Sequence, residues 1–157
     1  MILKFPHMVA KNLNKEDMQI PISLHGDPKL FVVAFQQWQQ ELVNSWILFC
    51  DSLVKKYPNF DFYELPTIRR MNPLYQRFID GGMRAGIPSN ESRERTITLY
   101  IDKEPFKESL DIVTEETIYL FLIDTVGEII WREEGGLTDK KAGKLERAIE
   151  EYLEKNE

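Results

Sequence analysis

The stretch LFVVAFQQWQQEL, residues 30–42, decides the fold of this 157-residue chain. Its first six residues are continuously apolar, which predicts a β-strand buried on both faces. The glutamine-rich part then opens a helix with one wide apolar stripe, because apolar residues recur at offsets of three and four. These residues are Trp38, Leu42, Trp46, Phe49, Cys50, Leu53, Val54 and Tyr57. A buried strand that leads directly into a long amphipathic helix predicts an α/β domain.

Shorter patterns on either side predict the remaining elements of the domain. They predict a hairpin from segments 8–13 and 18–24 and further strands at 60–65, 96–101, 117–123 and 128–131. They also predict a short helix from Asp102 to about Leu110, a loop at 133–136 and a final helix after Thr138. Pro66 closes the strand at 60–65 in this prediction. The order predicts a single domain over residues 1–157, with a central mixed sheet and helices on both faces.

Residues 66–95 differ in composition from the rest of the chain. They hold six arginines, no lysine and three acidic residues, whereas the whole chain has a net charge of −6. Asn72 and Pro73 resemble an N-cap followed by proline at the first helical position, and Gly81-Gly82 resembles a stop signal. The sequence therefore predicts a surface insertion at about residues 66–95 that carries a short helix, residues 73–80.

Three motifs in the chain carry a resemblance to a known family. The first is Phe5-Pro6 followed by Ala10-Lys11-Asn12-Leu13-Asn14, and the second is Phe31–Phe35 and then Trp38. The third and most specific is the hairpin Leu122-Ile123-Asp124-Thr125-Val126-Gly127-Glu128-Ile129. They resemble the N-terminal hairpin, the strand that leads to the active-site helix and a later hairpin of the thioredoxin-like superfamily, in the branch that contains peroxiredoxins and TlpA-like thiol-disulfide proteins. This resemblance implies a thioredoxin-like fold.

A narrower resemblance covers about residues 76–135. Gly82-Met83-Arg84-Ala85-Gly86-Ile87-Pro88, then Thr96–Asp102 and the ending Ile129-Ile130-Trp131, look like the thioredoxin-like assembly factors of the mitochondrial ATP synthase. That resemblance implies a non-catalytic chaperone for a membrane subunit.

The resemblance also indicates which redox residues are absent. Aligning Trp38 with the family's tryptophan places Gln39 and Leu42 on the two cysteine positions, and the family's cis-proline position falls at about Ile118. An amide is not a nucleophile, and the chemistry of this fold needs a thiolate at the start of the helix. Trp38, Gln39, Leu42 and Ile118 are therefore expected to mark a former redox site.

Cys50 and two histidines are the remaining reactive side chains. Cys50 lies on the apolar stripe of the helix, so it is interpreted as a small buried hydrophobe, with a reactive thiol as the alternative. His7 and His25 have no acidic partner at metal-ligand spacing and are interpreted as surface residues. We therefore predict no catalytic residue, no metal site and no cofactor.

The arginine-rich insertion is the predicted binding surface. Arginine favours paired contacts with carboxylate or phosphate groups, and exposed aromatic residues add apolar contact area. A solvated loop that pairs with nearby acids is the alternative. The candidate residues are Arg69, Arg70, Arg77, Arg84, Arg93, Arg95, Tyr75 and Phe78. The expected partner is a protein, acidic or membrane-associated, and its identity and the oligomeric state are not encoded in any motif.

Charge and cysteine content exclude several classes of function. A net charge of −6 argues against nucleic-acid binding, which releases counterions through basic residues. No run of 18 apolar residues predicts a transmembrane segment, and the N-terminus does not resemble a signal peptide. A single cysteine favours the cytoplasm or another reducing compartment. If a leader that targets the protein to an organelle had been removed, the remaining sequence would not show it.

Three functions therefore remain open from the sequence alone. The first is a non-catalytic thioredoxin-like domain that binds another protein, as an assembly factor or chaperone. The second is a peroxiredoxin-like or TlpA-like thiol enzyme that uses Cys50. The third is a carrier of a small anion or ligand in the groove of the former active site, near Trp38 and Ile118.

Overall fold

The computed structural model describes residues 3–156 of the chain. Seven strands and five helices follow one another in this part of the chain, joined by turns and loops. They are β1 (Met8–Lys11), β2 (Asp17–Ile20), β3 (Lys29–Ala34), α1 (Gln40–Lys56), β4 (Asp61–Arg69), α2 (Pro73–Gly86), α3 (Asn90–Arg95), β5 (Leu99–Ile101), α4 (Lys103–Ser109), β6 (Tyr119–Ile123), β7 (Ile129–Glu134) and α5 (Asp139–Lys155).

A five-stranded mixed sheet in the order β5-β4-β3-β6-β7 forms the centre of the fold. β3 pairs in parallel with β4 and antiparallel with β6, so the apolar strand that opens the sequence argument is central. β1 and β2 form a separate antiparallel hairpin, as the alternating segments predict. The predicted thioredoxin-like α/β architecture, with a mixed sheet, an N-terminal hairpin and additional helices, is confirmed.

The two faces of the sheet bury two separate apolar clusters. Alternation along β3 sends Phe31 and Val33 to one face, where they pack with Phe5 and Phe106 of α4. Leu30 and Val32 point to the other face, which is covered by the buried residues of α1 and α5. The residues buried there from the two helices are Val43, Trp46, Cys50, Leu53, Leu145 and Ile149.

The start of α1 differs from the predicted stripe. A 3-10 turn at Gln37–Gln39 precedes the helix and changes the direction of its first side chains. Trp38 is consequently 55% exposed, and its indole N–H donates to Gln36 Oε1 at 3.0 Å. Gln39 is fully buried instead. Assigning Trp38 to the buried stripe was wrong because the 3-10 turn shifts the helical phase.

Three predicted strand ends also need correction. β4 continues through Pro66 to Arg69: its pairing with β3 ends at Pro66, and its regular pairing with β5 begins at Thr67. β5 is regular only from residue 99, since Thr96 and Ile97 form isolated bridges to Glu64 and Asn12. β7 extends to Glu134, which pairs with Tyr119 and leaves a shorter loop.

Helix α2 is longer than the predicted residues 73–80. Asn72 accepts a hydrogen bond from the N–H of Leu74 at 2.8 Å, which confirms the predicted N-cap. The stop at Gly81-Gly82 is wrong, because the carbonyls of Arg84 and Ile87 accept hydrogen bonds from the Arg93 guanidinium and stabilise a later end. Helix α3, capped by Ser89, is an element that no sequence pattern predicted.

None of the helices in residues 3–156 combines the length and the apolar character needed to cross a bilayer. The assignment of residues 1–157 to one domain, with an insertion at about 66–95, stays a prediction. Helices α2 and α3 lie between β4 and β5, which are neighbours in the sheet.

Candidate functional site

A buried glutamine occupies the position where the resemblance expects a reactive cysteine. Gln39 Oε1 accepts hydrogen bonds from the backbone N–H groups of Phe35, at 2.9 Å, and Gln36, at 3.2 Å. Its Nε2 donates to the carbonyl of Glu115 at 2.6 Å. Both ends of this fully buried amide are therefore satisfied by backbone groups. Gln39 joins the end of β3 to the loop before β6, a contact that we call the glutamine clamp.

Neighbouring side chains close the same region. Gln36 Nε2 donates to the same Glu115 carbonyl at 2.9 Å. The Glu115 carboxylate pairs with Lys103 at 2.7 Å and Lys107 at 2.8 Å, which fixes the loop against α4. Amides and an ion-pair cluster thus occupy the start of the helix, where the resemblance expects a redox site. No local pattern in the sequence indicates the glutamine clamp, because its two ends lie 76 residues apart in the chain.

The other former-site positions do not gather into a reactive cluster. Trp38 projects into solvent, and Leu42 is half-buried against the α1–α5 cluster. Ile118 is fully buried in that cluster, and its carbonyl accepts a hydrogen bond from the N–H of Gly135 at 3.0 Å. None of these three apolar side chains can donate or accept the protons of a thiol exchange.

Cys50 lies inside the same cluster, in the third turn of α1 and fully buried. Burial raises the pKa of its thiol far above the usual range, and the negative charge of Asp51 adds to the shift. The thiol is therefore protonated at neutral pH and shielded from solutes. A nucleophilic cysteine needs the opposite environment, electropositive and partly exposed.

The two histidines lie apart from these residues. His25 is exposed, and its Nδ1 lies 3.1 Å from Asp61 Oδ2, while His7 is exposed as well. Within residues 3–156, no group of three His, Cys, Asp or Glu side chains is arranged to hold a metal ion.

The structure divides the six predicted arginines into two groups. Arg93 donates to the carbonyls of Ile87, at 2.6 Å, and Arg84, at 3.1 Å, so it caps α2. Arg95 lies over the Phe62 ring at 4.1 Å and pairs with Asp51 and Asp61 at 3.2 and 3.4 Å. Both guanidinium groups are therefore engaged within the fold.

The remaining four arginines, Arg69, Arg70, Arg77 and Arg84, form what we call the arginine surface. Arg69 ends β4, Arg70 follows it, and the other two lie on α2. Within residues 3–156, no carboxylate lies within 4 Å of their guanidinium nitrogens. Their charge is thus available to another molecule.

A groove of about 780 Å³ runs between the N-terminal hairpin and α2. The hairpin side contributes Val9, 69% exposed, and Lys15, while α2 contributes Arg77 and Arg84. Tyr100 forms part of its lining, and its hydroxyl donates to Asp80 at 2.6 Å. The hairpin side of this groove was missed because no local pattern in residues 8–15 indicates proximity to α2.

Solved structures with the same fold support the architecture. A thiol:disulfide interchange protein from Bacteroides sp. is 18% identical, with a TM-score of 0.62 over 94% of this chain and 88% of that chain. BsSco, a member of the Sco family of cytochrome c oxidase assembly proteins, is 14% identical, with a TM-score of 0.63 over 94% of both chains. StoA from Bacillus subtilis is 16% identical, with a TM-score of 0.56 over 92% of this chain and 97% of that chain. At these identities the likeness shows the fold alone.

Two further comparisons concern the sequence. No curated protein matches the chain significantly. The model of the ATP10 protein family matches residues 2–151, which is nearly the whole chain. This match agrees with the thioredoxin-like fold and with the narrower resemblance seen in residues 76–135. The chain belongs to the ATP10 protein family.

Proposed function

We propose that this protein is a redox-inactive assembly factor that binds a protein partner during assembly of the ATP synthase. The single observation that carries the proposal is the glutamine clamp. A buried amide whose oxygen and nitrogen are both hydrogen-bonded to backbone groups stands where the resemblance expects the nucleophile of the fold, and it fixes the surrounding backbone. Family membership supports the assembly role.

The thiol chemistry of Cys50 is disfavoured by its surroundings. Thiol exchange requires a thiolate and access for the attacked disulfide. The buried, protonated thiol of Cys50 offers neither of these. The carrier hypothesis is disfavoured by the amides of Gln36 and Gln39, since both donate to the Glu115 carbonyl and are therefore engaged within the fold.

The arginine surface and the adjacent groove are the proposed binding site for the partner. Arg77 and Arg84 line the groove together with Lys15, so its rim is basic although the chain is acidic. Apolar side chains, among them Val9, contribute to the lining. This combination suits a protein segment that carries both acidic and apolar residues. The cytoplasm or another reducing compartment remains the predicted location.

Affinity capture from a detergent extract of the source cells tests this proposal. We expect the wild-type protein to retain subunits of the ATP synthase. Charge reversal of Arg69, Arg70 and Arg84 to glutamate should reduce the recovery of these subunits at least tenfold, because several charge contacts, worth about 1 kcal/mol each, are lost. The thermal midpoint should be unchanged, because these side chains have no partner among residues 3–156. Reversal of Lys140, Lys144 and Arg147 on α5 is the matched control. Equal recovery with both triple variants contradicts the proposed site.

A further inference from the structure

The side chains of helix α2 have different surroundings around the helix. On the side toward β5, the Tyr100 hydroxyl donates to Asp80 and the Thr98 hydroxyl lies 3.6 Å from the Met83 sulfur. Asp80 also lines the groove, together with Arg77 and Arg84. The remaining side of the helix points to solvent.

The solvent face of α2 is apolar. Leu74, Tyr75 and Phe78 are 71%, 58% and 77% exposed, and the rings of the last two lie 6.2 Å apart. These three residues, which we call the outer face of α2, lie within five consecutive positions of the helix. No residue of α2 is buried, so the outer face is not needed to complete the core. Large exposed apolar clusters of this kind commonly mark an interaction surface.

The arginine surface flanks the outer face. Arg69 and Arg70 precede the helix, and Arg77 lies within one turn of both Leu74 and Phe78. Because the whole chain carries a net charge of −6, these unpaired bases make this side locally basic on an acidic protein. An anionic surface would therefore attract this side and repel the others.

We propose that the outer face of α2 docks on the anionic surface of a lipid bilayer. Leu74, Tyr75 and Phe78 enter the interface between headgroups and acyl chains, and Arg70 and Arg77 contact lipid phosphates. A helix with apolar side chains on one face and arginines along its edge has the pattern of interfacial membrane binding. The outer face is convex, and a bilayer accepts convex side chains without a complementary pocket. Arg77 lies at the border between the outer face and the groove that the proposed function uses, and Arg84, Lys15 and Val9 of the groove lining take no part in this docking.

Co-sedimentation with vesicles tests this docking. The probes are large vesicles of phosphatidylcholine alone and of phosphatidylcholine with about one third phosphatidylglycerol. The wild-type protein should bind the anionic vesicles and not the neutral ones, and salt at about 1 M should weaken the binding by screening the arginines. No binding to the anionic vesicles, or equal binding to both kinds, overturns the proposal.

Matched variants locate the surface. L74S/F78S should lower the partition coefficient about tenfold or more, since two inserted side chains are lost. L48S/V113S removes two side chains of similar exposure, 84% and 90%, outside α2 and should leave binding unchanged. R70E/R77E should lower binding at least about tenfold, whereas K140E/K144E on α5 should not. Equal losses in the matched variants overturn the assignment to α2.

Protein capture in detergent separates this inference from the proposed function. L74S/F78S should still retain ATP synthase subunits from the extract, because the groove is intact. If L74S/F78S loses those subunits and the wild-type protein ignores anionic vesicles, the outer face is a protein surface and the lipid proposal is wrong. If vesicle binding occurs and no subunit is captured, the lipid proposal holds and the proposed function fails.

Discussion

At the scale of single residues, Gln39 holds the end of β3 and the loop before β6 together. An active-site cysteine would leave the N–H groups of Phe35 and Gln36 without the acceptor that Gln39 supplies. The same side chain ties the loop at Glu115 to the sheet. The position that the resemblance aligns with a reactive cysteine therefore contributes to stability here.

Replacing Gln39 with alanine should destabilise the protein strongly. Gln39→Ala leaves the N–H groups of Phe35 and Gln36 without their acceptor and removes one of the two donors to the Glu115 carbonyl, which costs about 2–4 kcal/mol of unfolding free energy. Urea denaturation measures the difference. Gln40→Ala, at the exposed neighbouring position, should change stability by less than about 0.5 kcal/mol. Similar midpoints for the two variants would show that the clamp is not structural.

Cys50 should react slowly with thiol reagents in the native protein. Burial raises the pKa of the thiol, so the thiolate population of the folded state stays negligible between pH 7 and 9, and labelling should proceed only through opening of the fold, at a small fraction of the rate of an exposed thiol. The control is a Cys50→Ala/Leu48→Cys variant, which places a thiol at an exposed position on the same helix. Its labelling should be faster by orders of magnitude and should rise with pH, as for an ordinary thiol. Fast native labelling of Cys50 would revive the enzyme hypothesis.

At the scale of elements, α1 and α2 show what local patterns can predict. β3 and most of α1 were predictable because their apolar periodicity is long and tertiary packing agrees with it. The 3-10 turn before α1 was not predictable from its apolar pattern. This turn shifts the helical phase by one residue, so that Gln39 is buried and Trp38 is exposed. The end of α2 was mispredicted for a similar reason. Its stabilising partner, Arg93, comes from a different helix that no local pattern indicates.

Arg93 should stabilise α2 locally and the whole protein very little. Arg93→Ala removes the donors to Ile87 and Arg84, and since no residue of α2 is buried, the helix should fray from its C-terminal end. Hydrogen exchange of amides 81–87 should accelerate at least about fivefold, with less than about 1 kcal/mol lost from the global stability. Arg77→Ala is the matched control on α2 itself. Unchanged exchange in Arg93→Ala would contradict the capping role.

At the scale of the whole molecule, the unpaired arginines lie apart from the buried amide of Gln39 and the buried thiol of Cys50. The buried amide and the buried thiol lie with the sheet and α1, whereas the unpaired arginines lie at the end of β4 and on α2. The sequence allowed this separation to be predicted in outline, because residues 66–95 differ in charge from the rest. The groove could not be predicted, since it depends on the hairpin lying beside α2. Only the folded arrangement separates Arg93 and Arg95 from the arginine surface.

The proposed function requires that this protein binds its partner without thiol chemistry. The most direct test measures the amount of assembled ATP synthase in cells in which the gene for this protein is replaced by a variant. Native gels would compare wild type, Cys50→Ala and the triple reversal of Arg69, Arg70 and Arg84 to glutamate, with equal protein levels verified by immunoblot. We predict that Cys50→Ala supports normal assembly, since Cys50 is a small core residue, and that the triple reversal lowers assembly severalfold. Loss of assembly in Cys50→Ala together with normal assembly in the triple reversal would contradict the account.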